Sequence, residues 1–228
     1  MKLTYFGHSA FQIETNGTTL LFDPFITGNR HAVGKVSPDQ LNPDVILLTH
    51  AHGDHWGDTP DIARRTGALI VATHEIVEYI ARNHGHENSH AMNTGGSWEF
   101  DWGRVKLTYA RHSSSFPDGT YGGNPVGFLL EIEGKIIYNT GDTCPFSEMA
   151  WIGEDHDVDL MLTPIGGNFT QGPEDAVRSV RMVKPRLTVP LHYNTFPPIE
   201  IDMNRWTRAM AEAQFETKVL GAGETLHL

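Results

Sequence analysis

The run Val45-Ile46-Leu47-Leu48-Thr49 leads without interruption into His50-Ala51-His52-Gly53-Asp54-His55. A continuous apolar run of this kind is the pattern of a strand covered on both faces, so the chain needs helices packed over a sheet. The loop leaving such a strand has a rigid base and here carries four ligand-type side chains within six positions. Imidazole nitrogens and carboxylate oxygens bind zinc-like cations well. His50 and His52, two apart, point the same way along an extended loop, while Asp54 and His55 lie past the flexible Gly53 and can reach a neighbouring ion.

A polar surface turn rich in histidine is the plainer account of this stretch. Three further ligand-type residues, His112, Asp142 and His192, argue against it, because each follows the end of an expected strand. Strand ends on one edge of a sheet converge in space. The seven residues can therefore make two sites: His50, His52 and His112 on one ion, Asp54, His55 and His192 on the other, and Asp142 bridging. A bridging carboxylate would hold such ions about 3.5–4 Å apart.

Around this loop the pattern predicts strands at 2–6, 10–14 and 18–22, with Asn16-Gly17 as a tight hairpin turn. A helix follows, with Thr59 as N-cap, Pro60 at its first position and Gly67 past its end. Next come a strand at 68–72 and a helix at 75–83 stopped by Gly85. Segment 86–98 is polar and rich in His, Asn and Gly, and reads as a loop near an edge. Strands are expected at 105–110, 126–132, 135–139, 159–163, 187–191 and 225–228, with helices at 173–183 and 203–215. Trp206, Met210 and Ala213 recur at helical spacing, the mark of packing.

The two halves echo one another. Phe11, Glu14 and Gly17 match Phe128, Glu131 and Gly134 at a constant offset of 117 (128 − 11), and Ile46-Leu47-Leu48-Thr49 resembles Leu160-Met161-Leu162-Thr163 at 114 (163 − 49). An internal duplication of one hairpin-strand-loop-helix unit is expected, placing the Gly166-Gly167-Asn168 loop on the same cleft as the histidine loop.

Composition narrows the partners. A formal charge of −11 and the absence of a basic run disfavour nucleic acid. The 228 residues suit a single domain over 1–228, with no signal peptide or membrane span, and the lone Cys144 suits a reducing cytoplasm. A small-molecule substrate is expected, and the oligomeric state is left open.

With its Thr49-His50-Ala51-His52-Gly53-Asp54-His55 motif, then His112, Gly141-Asp142-Thr143 and His192 in order, the chain resembles the metallo-β-lactamase-like metal-dependent hydrolase superfamily. The likeness runs nearly end to end, through Phe6-Gly7-His8-Ser9, Asp23-Pro24-Phe25, residues 93–96, His112-Ser113-Ser114-Ser115, Tyr121-Gly122-Gly123-Asn124-Pro125, the segment Pro164 to Thr170 and Pro190-Leu191-His192-Tyr193, and is to a bacterial branch. It implies an α/β fold, a four-layer αβ/βα sandwich, with a binuclear site. Redox relatives place a carboxylate where His52 stands and carry a flavin domain; RNA-processing relatives need an inserted domain or a basic exosite. Neither pattern fits this chain.

The implied reaction is hydrolysis by metal-activated water of a small ester, lactone or thioester, with two divalent ions, zinc first and manganese or iron also suited. Asp54 would both ligate and orient the attacking water. Phosphodiester cleavage in a small phosphorylated metabolite is the alternative, with Arg30, Lys35 and Arg111 to supply charge; a non-enzymatic metal-binding sensor is a third. Asp23 is expected to accept the free N–H of a ligating histidine and His8 to contact substrate, metal or backbone. Tyr193 and Asn168 are candidates to donate to a substrate oxygen. Ser113-Ser114-Ser115 suits turn formation better than nucleophilic attack.

Overall fold

Asn16 and Gly17 both adopt positive φ, 45° and 79°, the geometry that closes a two-residue hairpin. They join β2 (Ala10–Thr15) to β3 (Thr18–Phe22), and β1 (Lys2–Gly7) lies antiparallel on the far side of β2. The first sheet continues in parallel through β4 (Val45–Leu47), β5 (Leu69–Thr73) and β6 (Ser89–Met92). The second sheet repeats the pattern. The Glu133-Gly134 turn joins β9 (Val126–Ile132) to β10 (Lys135–Asn139), β8 (Gly103–Tyr109) flanks β9 antiparallel, and β11 (Leu160–Pro164) and β12 (Leu187–Leu191) follow β10 in parallel. An outer strand adds antiparallel to each, β13 (Thr225–His227) beside β1 and β7 (Ser97–Phe100) beside β8.

The computed structural model describes residues 1–228 and places these sheets face to face in an α/β sandwich. Three apolar clusters define its layers. Between the sheets, Leu3, Phe11, Phe22 and Leu47 meet Val105, Phe128, Leu130 and Leu162, with Phe22 edge-on to Phe128 at 5.9 Å. Outside the first sheet, Ile46 and Ile70 pack against Ile62 of α2 (Thr59–Thr66) and Ile76 and Ile80 of α3 (His74–His84). Outside the second, Tyr138 and Met161 pack against Val180 of α5 (Pro173–Val183) and Trp206 and Met210 of α6 (Met203–Glu212). Burying each such side chain stabilises the fold by about 1.5–3 kcal/mol. No helix is long and apolar enough to cross a membrane.

Pairing corrects the second half of the internal echo. Leu20 lies opposite Val45 and Ile137 opposite Leu160; with Leu20 and Ile137 equivalent at 117, Val45 matches Leu160 at 115 (160 − 45), one residue away from the sequence match. The slip matters because strand side chains alternate faces. Val45 and Leu160 both face the inter-sheet core, whereas Ile46 faces the outer layer.

Segment 86–98 is not wholly loop: β6 and the start of β7 lie in it, edge strands whose polar residues face outward. Asp58, not Thr59, is the residue before α2, and its carboxylate accepts the Ile26 and Thr27 N–H groups, pinning the 23–28 loop instead of capping the helix. The short helices α1 (Gly53–Trp56) and α4 (Met149–Asp155) carry no sequence signal strong enough to expect them.

Both sheets meet at the edge that carries the histidine loop. Val126 N–H donates to the Thr49 carbonyl at 3.0 Å and His192 N–H to the His8 carbonyl at 2.8 Å, each bond running from one sheet to the other. The ends of β1, β4, β8, β10 and β12 are thereby drawn together.

Candidate metal centre

The ends of β4, β8, β10 and β12 bring all seven expected ligand residues into one cluster, and the turn after β1 adds His8. His50 Nε2 and His112 Nε2 lie 3.0 and 3.2 Å from His52 Nδ1. Beside this trio, Asp142 Oδ2 lies 3.0 Å from His192 Nε2, 3.2 Å from His55 Nε2 and 3.7 Å from His112 Nε2. Asp54 Oδ2 closes the far side, 3.6 Å from His192 Nε2 and 3.1 Å from His8 Nε2. Asp142 thus stands between the two groups.

Outer contacts fix which imidazole nitrogen faces inward. Thr49 donates its hydroxyl to Asp23 Oδ2 at 2.7 Å, so Thr49 Oγ1 accepts from His50 Nδ1 at 3.0 Å and leaves the His50 Nε2 lone pair inward. His55 Nδ1–H donates to Asp23 Oδ2 at 2.9 Å, leaving Nε2 buried with no hydrogen-bond partner. His52 Nε2 reaches Ser113 Oγ at 3.4 Å, turning Nδ1 inward. Several buried lone pairs pointing at one another are unfavourable without a cation among them, and an imidazole and carboxylate set of this kind fits zinc-like ions. The residues present therefore fit divalent metal.

Electrostatics agree. Burial, then neighbouring histidines, holds His50, His52 and His112 below the ordinary imidazole range, in the neutral form that ligates. Burial also acts on His55 and His192, but Asp142 outweighs it and lifts both, His192 to about 9. Burial would raise Asp54 and Asp142; the histidines around them win and hold both below the usual carboxylate range.

The remaining candidates separate. Asp23, 1% exposed, accepts from the Thr49 N–H, the Thr49 hydroxyl and His55. His8, fully buried, uses both ring nitrogens on side chains and none on backbone. Tyr193 packs among the apolar residues outside the second sheet, its phenol pushed up to about 12 by burial and Glu224, and makes no side-chain hydrogen bond. Asn168 is exposed at φ 54° and likewise makes none. Arg111 is exposed, its guanidinium 6.0 Å over the Phe146 ring. Arg30 instead binds the Asn194 carbonyl and Glu200, so its charge is spent on the loop after His192. Ser114 accepts from Ala51 N–H and donates to the Gly122 carbonyl, bracing two loops. Sequence reasoning missed Thr49 and Thr195; a hydroxyl directly before the first ligand was the available signal for Thr49.

This fold and site define a metal-dependent hydrolase of the metallo-β-lactamase class. The β-lactamase superfamily domain matches residues 2–192. The chain is 52% identical over the full length of both chains to a UPF0173 metal-dependent hydrolase of Salinibacter ruber, and 50% identical to one of Shouchella clausii, again over both full lengths. It belongs to that UPF0173 metal-dependent hydrolase family. Among solved structures it is similar to Igni18, a metallo hydrolase from the archaeon Ignicoccus hospitalis, with a TM-score of 0.87 and 37% identity, covering 99% of this chain and 97% of that one.

Proposed function

We propose that the chain, one hydrolase domain over 1–228, cleaves a small ester, lactone or thioester with two divalent cations, zinc being the first choice. His50, His52 and His112 would hold one, Asp54, His55 and His192 the other, and Asp142 both. One observation carries this reading: the cluster has a sealed floor and an open face. The side chains of His55, Asp142 and His192 are at most 3% exposed, whereas those of His112 and Asp54 are 12% and 28% exposed. Bound ions supply a Lewis acid for the oxygen under attack and a water acidic enough to ionise near neutral pH.

The chain's own residues do the remainder. Asp54, at the open edge, orients the attacking water and takes its proton. Asp142, wedged between His55 and His192, keeps both halves of the cluster in register. Asp23 and Thr49 fix the rings of His50 and His55 with Nδ1 engaged outward, so that Nε2 is the nitrogen each would offer to an ion. Neither Ser114 nor Cys144 is placed for attack: Ser114 is engaged on both sides, and Cys144 is exposed and belongs to none of the clustered groups. That single thiol suits a reducing cytoplasm.

A second reading, phosphodiester cleavage, is favoured by Arg111, which adjoins His112 and makes no ion pair; Lys35 makes none either, whereas Arg30 is engaged by Glu200. The sensor alternative draws no support from relatives named as hydrolases.

The test is a panel of lactones, thioesters, esters and phosphodiesters on protein reconstituted separately with zinc and with manganese, against Asp54→Ala. Turnover of an ester, lactone or thioester that falls about 10²–10⁴-fold in the variant is expected. Turnover confined to phosphodiesters would replace the first reading with the second.

A further inference from the structure

His8 sits in the turn between β1 and β2 with a positive φ of 59°, an uncommon conformation for a residue with a side chain. Its backbone is pinned, since its carbonyl accepts from His192 N–H at 2.8 Å and from the Tyr5 hydroxyl at 3.1 Å. Its ring is pinned too: the His192 ring lies 4.0 Å away, and Phe25 and Phe196 meet it edge-on at 5.6 and 5.4 Å. Each ring nitrogen then faces one oxygen, Nδ1 at 2.9 Å from Thr195 Oγ1 and Nε2 at 3.1 Å from Asp54 Oδ2.

Thr195 decides the tautomer. Its hydroxyl has one proton to give, either to His8 Nδ1 at 2.9 Å or to the Tyr193 carbonyl at 3.3 Å. Giving it to the carbonyl requires His8 to carry hydrogen on Nδ1. The bare Nε2 would then oppose a carboxylate oxygen at 3.1 Å, two acceptors face to face in a partly buried setting. Giving it to Nδ1, the shorter of the two contacts, leaves an N–H on Nε2 directed at Asp54 and gives up only the longer bond to the Tyr193 carbonyl.

We propose that His8 is a positioning residue, which donates one hydrogen bond from Nε2 to Asp54 Oδ2, is held in that tautomer by the Thr195 hydroxyl, and so aims the carboxylate of Asp54. This rests on the role given to Asp54 above. The need for such an anchor is local. Asp54 follows Gly53 in a four-residue helix and its side chain is 28% exposed, so little packing restrains it. The His8 bond uses one lone pair of Oδ2 and leaves the rest of the carboxylate for an ion and a water.

The competing assignment makes His8 a further ligand, because a ring nitrogen lies within 4.8 Å of ligand atoms of Asp54, His55 and His192. Nitrogen NMR of metal-free, full-length protein labelled in histidine separates the two. The expected result is His8 protonated at Nε2 and bare at Nδ1, with the Nε2–H signal perturbed in Asp54→Ala and the tautomer lost in Thr195→Val but kept in Thr195→Ser. His8→Gln, whose amide N–H stands where Nε2 does, should keep the zinc content of the parent protein and recover most of the kcat that His8→Phe loses. His8→Phe should weaken zinc binding by roughly 10–100-fold, the range for a lost outer-shell partner. A His8 protonated at Nδ1, or His8→Gln protein that loses an equivalent of zinc outright, would overturn the proposal. The tautomer is read without turnover, so an Asp54→Ala variant that stays active would sink the role of Asp54 while leaving the His8 bond to be judged separately.

Discussion

His55 Nδ1 and Asp23 Oδ2 lie 2.9 Å apart in the sealed floor of the cluster, and the same carboxylate takes both the backbone N–H and the hydroxyl of Thr49. One buried side chain thus sets the inward nitrogen of His55 directly and that of His50 through Thr49. It does so from φ 40°, a left-handed conformation that Asp tolerates better than most residues.

Replacing Asp23 by Ala removes all three bonds and frees both rings to take the wrong tautomer. Zinc affinity should fall roughly 10–100-fold. Competition with a chromophoric chelator measures this, and an affinity within twofold of the parent would show that the tautomers are set elsewhere.

Gly141 is the backbone counterpart. It precedes Asp142 at φ 62°, and a Cβ there would run into the Val126 carbonyl and crowd Thr49 Cβ at 3.3 Å. Gly141→Ala should displace Asp142 and strain the backbone by about 1–3 kcal/mol, lowering Tm by roughly 2–12 °C. Thermal melts with and without zinc test it; an unchanged Tm and zinc content would refute the positional argument.

The clustering of these seven residues was legible because they follow closely on strands, and strand ends on one edge must converge. The apolar run before His50 announced a covered strand, and Asn16-Gly17 a hairpin. What failed to show depends on partners far away in sequence. Thr195 meets His8 across 187 residues, and Arg30 meets Glu200 across 170. Nor could local pattern reveal which residue of β11 is equivalent to Val45 of β4, since several apolar residues in a row fit either of two alignments and only the pairing of each strand with its own neighbour chooses. The polar edge strands β6 and β7 were hidden for a related reason: with one side open, they lack the apolar alternation that marks a buried strand.

Arg111 offers a discriminating measurement on substrate charge. Its backbone N–H is fixed by Thr143 Oγ1 at 3.0 Å, next to Asp142, yet its guanidinium makes no ion pair and acts on Glu148 only at longer range. Arg111→Ala should raise KM for anionic substrates and leave neutral esters and lactones within about twofold, because an exposed charge acts mainly through long-range attraction. The anionic effect should shrink in high salt. Equal losses on neutral and anionic substrates would mean that Arg111 acts on the site's structure.

Removing metal should give stability a maximum in pH. In the metal-free protein, burial first of all holds His50, His52, His112 and His8 below their ordinary 6.5, His8 at about 3. Below pH 6.5 the unfolded chain takes up protons that these folded imidazoles refuse, so stability falls as pH drops. Asp54 and Asp142, held below 3.8, extend that fall at lower pH. His55 and His192 work in the opposite direction. Their folded forms, raised above 6.5 by Asp142 against the effect of burial, hold protons that the unfolded chain releases, His192 up to about 9. Their stabilisation is complete below pH 6.5 and is lost as pH climbs towards 9, which places the maximum near 6.5. Zinc binds the folded chain with these imidazoles deprotonated, so saturating zinc should abolish the alkaline decline and add about 2.7 kcal/mol at a hundred times Kd. Melts of chelator-stripped and zinc-loaded protein between pH 4 and 10 would show this as two curves diverging above pH 6.5; parallel curves there would mean that His55 and His192 do not carry the ion.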